Sequence, residues 1–587
     1  MGEGMSQPVG YDLQTAPVVK VNGSELSSKR IDQLTGVRVT RTFRLAARAV
    51  LRFEDWDYEI ASSAIAKVGA DVEISSKKTG ILFQGQITGI ELLADAAVPT
   101  LVLTADDPAH KLTQERRVRT FTEVSYSDVV KKMAMEVGLQ AKVTATTERF
   151  EYLIQADTDY GFLCEMADRV GFDWWVEGKT LNFAPPKPDA APAVSLTLGR
   201  DLGQFGVRAT ALHPQKASVT GWDPKAKKSI VGSANLPSGS LPDLVRPYLT
   251  QGSAKTASSV GSPVSTGEAT ELAKRETAGW VSSALTATGS TIGVTGELVP
   301  GSVVQIVDAG PVSGNYPVTE VEHSYSRNGF RTRFVAGERR PVGLVDRLGP
   351  DPRSSFRMSG LVVGVVTGVS NPKGSQAEVK VKFPGVDDTL ESAWARLVTL
   401  GGGSKRGVLF VPEINDEVIV GFEAGDLRRP VVLGGLFNGK DASPTFKKQG
   451  SAVDTRAITS RLGHVVEFGD GNAPDDQYIG LSLAGGHHQV KLGKKELTAT
   501  VPAGTPIKLS AGQTSITIGD DGSITLSGKK ITLKADTDIE LSGLNVTAKA
   551  NVKFSAGGAM AEIKANGQAE VSASGPVMIK GAIVQVN

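Results

Sequence analysis

Cysteine occurs once in the 587 residues, at Cys164. That excludes an internal disulfide framework and any cysteine-rich zinc site. The six histidines, His110, His213, His323, His464, His487 and His488, are scattered over different segments. A Ser/His/Asp triad would therefore need long-range assembly. No apolar run approaches the ~20 residues of a membrane span. Neither sign of charge is in excess, with 64 Lys and Arg against 63 Asp and Glu and a net charge of +1. Nucleic-acid binders usually carry a basic surplus, so the balance disfavours nucleic acid as a main partner. The first ten residues are polar and glycine-bearing, without a basic-then-apolar signal. The chain is expected to be made in the cytoplasm without a signal peptide and to leave, if it leaves, by another route.

Catalytic signatures are missing too. A GxxxxGK[ST] phosphate loop is absent; Gly178-Lys179-Thr180 ends like one, but Asp173 stands where its first glycine belongs, and a hairpin turn is the better reading. No GxSxG elbow or HExxH helix occurs. The 63 acidic residues offer many carboxylate pairs for glycoside cleavage, and nothing singles one out.

What is present divides along the chain. At ~150 residues per domain the length suggests about four domains. The hydrophobic fraction is 40%, enough for each to bury a core. Arginine stops at Arg461, and after Tyr478 Phe554 is the lone aromatic residue. Yet the tail is rich in Val, Ile, Leu, Thr and Gly, which argues for order without a conventional core. Ile516-Thr-Ile518, Ile524-Thr-Leu526, Ile531-Thr-Leu533 and Ile539-Glu-Leu541 start 8, 7 and 8 residues apart. Each is a period-two strand between turn formers, the signature of a β-solenoid. Units this short leave a face uncovered and edges open, so three chains winding about one axis are the economical solution. The alternative is a plain β-meander or sandwich.

The middle, about Phe356 to Asn438, reads as a small antiparallel barrel of the OB type. Its expected strands are Gly360–Val366, Glu378–Phe383, Arg406–Val411, Asp416–Phe422 and Pro430–Leu433. Upstream the chain is mixed. Ser127-Asp128 is expected to cap one helix, stopped by Gly138, and Thr158-Asp159 a second, ended by Gly171. A hairpin follows, Trp174–Val176 with Leu181–Phe183. The Ser/Gly/Thr-rich stretch Ser233–Thr266 reads as a flexible insertion.

Three features carry candidate chemistry. One imidazole of His487-His488, on a strand, could face a threefold axis and share a metal with its copies; a surface or packing pair is the plainer reading. Cys164 reads as a buried structural thiol rather than a nucleophile. Trp174-Trp175 reads as a hairpin anchor rather than a sugar platform.

Ser392-Ala-Trp394-Ala-Arg396, followed by the run DEVIVGFEAGDLRRPVVLGGLFNG ending at Gly439, resembles the VgrG spike family of contractile injection systems. The motif positions are Trp394, Arg396, Gly421, Phe422, Gly425, Asp426, Arg429, Pro430 and Gly434. Asp106–His110, Arg116–Phe121, Thr158–Phe183 and Thr220–Pro224 resemble phage late-control and tail-hub proteins, and Ser574–Ala582 the family's needle end. The resemblance implies a mainly β fold with some α. Residues 1–350 would be a tail-hub domain with two barrels, 351–440 an OB-fold barrel, 441–505 a connector and 506–587 an intertwined trimeric β-helix needle. It further implies a non-enzymatic homotrimer that needs no cofactor. Such a spike caps a hexameric inner tube, contacts baseplate proteins, carries a PAAR-repeat tip and in some cases effector cargo, and meets the target membrane only during puncture. The particle is phage tail-like and delivered or released outside the cell. Ile583, Val584, Val586 and Asn587 are expected to bind the tip protein. A spike with cell-wall hydrolase activity and a glycan-binding tail adhesin are the alternatives. Residues 440–506 are too short and glycine-rich for a lysozyme domain, and with the needle motif near Asn587 a toxic extension is not expected.

Overall fold

Alternating burial builds most of this protein. In the strand Arg48–Glu54, Ala49, Leu51 and Phe53 point inward while Arg48 and Arg52 face water. The computed structural model describes residues 16–94, 98–187, 189–209, 214–236, 256–260, 262–337, 360–374, 377–385 and 391–586. Strand accounts for 43% and helix for 12%, so the fold is mainly β with some α. Two compact units divide the chain, Met1–Ala442 and Ser443–Asn587.

In the first unit, thirteen strands form one sheet. The strand Leu34–Thr42 joins its halves, pairing with Arg48–Glu54 on one side and Gly314–Ser326 on the other. One core gathers Val39, Leu51, Phe53, Ile74 and Leu101; a second gathers Leu202, Val304, Tyr316 and Phe334. Where two barrels were expected, the described strands make a single sheet over two cores. The Val39–His323 and Val37–Tyr325 pairings run the ladder through from one to the other.

Four helices matter: α1 (Ser28–Gln33), α2 (Tyr126–Glu136), α3 (Asp159–Val170) and α4 (Thr266–Ala284). The cap of α2 is Ser125, in a capping box with Asp128, rather than Ser127-Asp128. Thr158 caps α3, and Gly171 closes it with a φ of 70°. Phe162, Leu163 and Met166 of α3 meet Met133 of α2 and the hairpin Asp173–Glu177/Thr180–Ala184 in a third core. Trp174 is fully buried there, and Trp175 packs edge-on against Phe43 at 5.5 Å, so the doublet anchors the hairpin.

The nineteen-residue α4 was not anticipated. Of the expected insertion, residues 237–255 and 261 lie outside the described residues. Small residues let α4 lie close to the strand Lys228–Asn235, with Ala269 and Ala273 wholly buried.

The central barrel is closed. Its strands are Val362–Val369, Glu378–Lys382, Ala395–Leu397, Glu417–Phe422 and Pro430–Gly435. Val379, Val381, Val418 and Val420 are fully buried inside it. The expected strand Arg406–Val411 is absent, and Ala395–Leu397 takes its place. The run Gly401-Gly402-Gly403 interrupts β structure there, leaving Leu409 and Phe410 exposed.

The second unit opens with a short hairpin, Lys448–Gln449 with Ala452–Val453, followed by a five-stranded antiparallel meander: Thr455–Thr459, Val465–Asp470, Gln477–Ser482, Gln489–Gly493 and Leu497–Thr500. Three strands follow, Ile507–Ala511, Thr514–Ile518 and Ile524–Ser527. Beyond Ser527 no strand forms among the described residues, so Ile531–Leu533 and Ile539–Leu541 have no ladder within the chain. The repeat is nevertheless regular. Bends open at Gly528, Asp536, Gly543, Asn551, Ala559, Asn566, Ser574 and Ala582, spaced 8, 7, 8, 8, 7, 8 and 8 residues.

A Cβ added at Gly232 would stand 2.2 Å from the backbone of Ala269 and Thr270 in α4, whereas one at Gly434 meets nothing within 4 Å. Gly232→Ala should therefore destabilise the first unit by about 1–3 kcal/mol, and Gly434→Ala by much less. Urea midpoints of the two variants check this.

Candidate functional site

Three of the residues singled out in the barrel motif, Trp394, Asp426 and Arg429, meet the N-terminal part of the chain. The antiparallel strands Arg116–Val124 and Phe150–Thr158 bring Tyr152 and Ile154 to the barrel. Ile154 joins the barrel's own core. Lys380 lies 4.5 Å above the Tyr152 ring and 5.6 Å above Trp394, donating to the Tyr152 hydroxyl and, at 3.3 Å, to Glu391. Trp394 thus helps hold a cation against an aromatic pair.

A second contact is ionic and buried. The turn Glu423–Gly425 has two left-handed residues, Ala424 (φ 52°) and Gly425 (φ 77°), and delivers Asp426 inward. Arg428 donates to Asp426 through Nε at 3.1 Å and Nη2 at 2.8 Å, to Glu268 at 3.0 Å and to the Tyr126 hydroxyl at 3.1 Å. Arg169 donates to Glu165 at 2.7 Å, Glu268 at 3.3 Å and Asp426 at 3.4 Å. Ser262 Oγ adds a 2.7 Å bond to Asp426. Glu268 stands in the first turn of α4, whose cap Ser265 accepts from its backbone N–H. Helices α2, α3 and α4 are thereby tied to one barrel turn.

The electrostatics follow from burial and pairing. Burial alone would raise the Asp426 carboxyl, but Arg428 and then Arg169 outweigh it and hold the group well below the usual carboxylate range. Burial works against the charge on Arg428, yet Tyr126, Asp426 and Glu268 keep its pKa well raised. Burial also pushes the Tyr126 hydroxyl up.

The other motif residues frame this latch. Arg429 donates to the Trp222 carbonyl at 2.6 Å and to Glu423 at 3.4 Å, and Arg396 pairs with Glu423. A shallow 280 Å³ cleft lies between Trp222, Ser262 and the Glu423–Gly425 turn. Phe422 stacks obliquely on Phe383 at 6.0 Å inside the barrel. Gly421, Pro430 and Gly434 lie on the strands either side of the turn. The arrangement fixes one domain against another; its charged groups neutralise each other, and no histidine of the described residues bonds to Ser262.

The remaining candidates stand apart. His487 and His488 sit in the turn between Gln477–Ser482 and Gln489–Gly493, not on a strand, because Gly485 (φ 83°) and Gly486 (φ 72°) turn the chain there. No group of three His, Cys, Asp or Glu side chains fit to hold a metal occurs among the described residues. Burial pushes the Cys164 thiol up, away from a reactive thiolate. Ile583, Val584 and Val586 are exposed near the end of the chain, and Asn587 lies outside the described residues. Sequence reasoning did not single out Arg428, at the centre of the latch, nor Arg169, Glu268 or Tyr126. The Ser265-x-x-Glu268 spacing, a helix-start signature, was the available signal.

Comparison with known proteins places this architecture. A model of the Alg8 N-terminal domain matches residues 12–327, more than half of the chain. One for the type VI secretion system/phage-baseplate injector OB domain matches residues 362–437. The chain belongs to the family that the Alg8 N-terminal domain defines, and it is similar to VgrG and phage tail spike–hub proteins. The type VI secretion system spike protein VgrG5 of Pseudomonas aeruginosa is 31% identical over 125 residues, covering 20% of this chain and 15% of that relative. The lidded Francisella PdpA–VgrG complex has a similar fold at 8% identity and a TM-score of 0.51, covering 88% of this chain and 80% of that one. Its half-lidded form gives 9% identity and 0.50, covering 88% and 89%. No helix among the described residues is long and apolar enough to cross a membrane.

Arg428→Met should leave Glu268 and Asp426 short of a buried partner and cost about 3–5 kcal/mol. Arg428→Lys should not restore it, because a single ammonium cannot reproduce the fork. Because the folded pKa of Asp426 is depressed, its contribution is present above the ordinary carboxylate range and is lost as pH falls through the folded value. Denaturation midpoints of wild type and Asp426→Asn should accordingly differ at pH 7 and converge in strong acid.

Proposed function

We propose that this chain is the trimeric, non-enzymatic hub and spike of a contractile injection system. In this reading residues 1–350 cap the hexameric inner tube through paired barrel-like lobes, and 351–440 form an OB neck. Residues 441–505 connect to a needle, 506–587, whose end takes a PAAR-type tip near Ile583, Val584, Val586 and Asn587. Sheath contraction supplies the work that drives the particle through the target envelope.

The observation that carries the reading is the tail from Gly528 onward. Its bends recur every 7 or 8 residues, yet its segments form no ladder among the described residues. Leu544, Val552 and Ile563 are almost wholly exposed. Extended backbone and aliphatic side chains do not stay uncovered in water. Two further copies supply both the hydrogen bonds and the core, and make a shaft stiff along its axis. The latch at Asp426 and Arg428 fits the same role, since thrust on a spike passes through the joint between hub and neck. A Francisella relative is seen in complex with PdpA, which favours further secretion-system proteins as partners. A hydrolase spike predicts turbidity loss on purified peptidoglycan, and an adhesin predicts specific cell binding by the isolated trimer.

Light scattering on the full chain should give the mass of three chains; one chain would overturn the reading. Ile531→Asp forces a charge toward the shared core and should cost the trimer several kcal/mol per chain. Lys530→Asp in the adjoining turn should cost little. Equal melting temperatures for the two variants would refute the register.

A further inference from the structure

The tail changes its manner of pairing at Ser527, and the sheets before that point carry an apolar face of their own. In the meander, ladder partners line up side chain by side chain. Ile458 stands opposite Val466, Val466 opposite Leu481, and Leu481 opposite Val490. One step along, Phe468, Ile479, Leu492 and Leu497 form a second row on the same face. Seven of these eight are exposed, and Val466 is half-buried. The opposite face is polar and already satisfied, with Tyr478 donating to Glu467 at 2.5 Å and Lys491 lying 4.1 Å over the Tyr478 ring. The three-stranded sheet repeats the pattern, with Ile507, Ile518 and Ile524 in one row and Leu509, Ile516 and Leu526 in the next.

We infer that residues 455–527 assemble by packing this apolar face against the same face of two further copies, each copy keeping a complete sheet, and that strands are shared between copies only beyond Ser527. The inference rests on the trimer reading above. Each sheet here has its own antiparallel ladder, so it needs no backbone partner from another chain; what it lacks is a cover for one face. The occupant is a second and third copy because the apolar rows run on toward the tail, where the missing partners are backbone groups as well. Sheets packed face to face stand ~10 Å apart, so three of them enclose a dry triangular core. The turns follow the same logic. Up to Ser527 the chain reverses at hairpins and stays on one side of the core. After it, bends recur every 7 or 8 residues, and the segments between them form no ladder among the described residues.

Single cysteines in the full chain, on a Cys164→Ser background, test both halves of the claim. Leu481→Cys on the apolar face should react with a maleimide about a hundredfold more slowly than Lys491→Cys on the polar face, the protection that enclosure in a packed core confers. Lys491 and Thr498 are direct ladder partners. Oxidised Lys491→Cys/Thr498→Cys should therefore migrate as one chain on a denaturing gel. Equal labelling of the single variants, or covalent dimers and trimers from the double variant, would overturn the inference even where light scattering gives three chains. A mass of one chain would instead bring down the trimer reading and this inference together.

Discussion

An extended backbone takes its hydrogen bonds from other strands or from water, and only other strands hold it in one regular form; that constraint governs the second unit of this protein. A helix satisfies its N–H and C=O groups internally, and a meander does so strand by strand. The segment after Ser527 does neither among the described residues. A regular chain that cannot complete itself is one built to be completed by others. In the proposed assembly the same feature yields stiffness, because every rung closes across chains and no edge is left free along the shaft.

In the proposed role the first unit meets the opposite requirement, since a hub and a neck must not move against one another. Apolar packing through Ile154 supplies adhesion, and the ionic cluster supplies geometry. Two arginines and the carboxylates of Asp426, Glu268 and Glu165 are costly to bury singly and tolerable together. Their bonds are directional, so the cluster admits one seating of the barrel. Asp426 reaches it because Gly425 tolerates a left-handed backbone in the turn.

Much of the barrel was legible in the sequence because alternation is a local signal. Val379 and Val381 point in, Lys380 and Lys382 lean out, and the pairing follows. Where local composition misled, at Arg406–Val411, an apolar run beside three glycines looked like a strand but lies outside the closed ladder. Helix α4 was illegible for the reverse reason. It buries alanines rather than a stripe of large residues, so its periodicity is faint. The latch was half visible. Asp426 and Arg429 stood out in a motif, but Arg169 and Glu268 come from distant helices, and nothing local announces that they share a site. The tail repeat was read from its Ile and Leu pairs and the turn formers between them, and the bends from Gly528 to Ala582 keep the same spacing.

Hydrogen–deuterium exchange of the native full chain, followed residue by residue through 528–586, tests the central claim most directly. If copies complete one another's ladders, these amides exchange slowly, as slowly as those of the meander strands. Amides that exchange at the rate of an unstructured peptide would mean that the tail has no partners, and the account of a needle would be wrong.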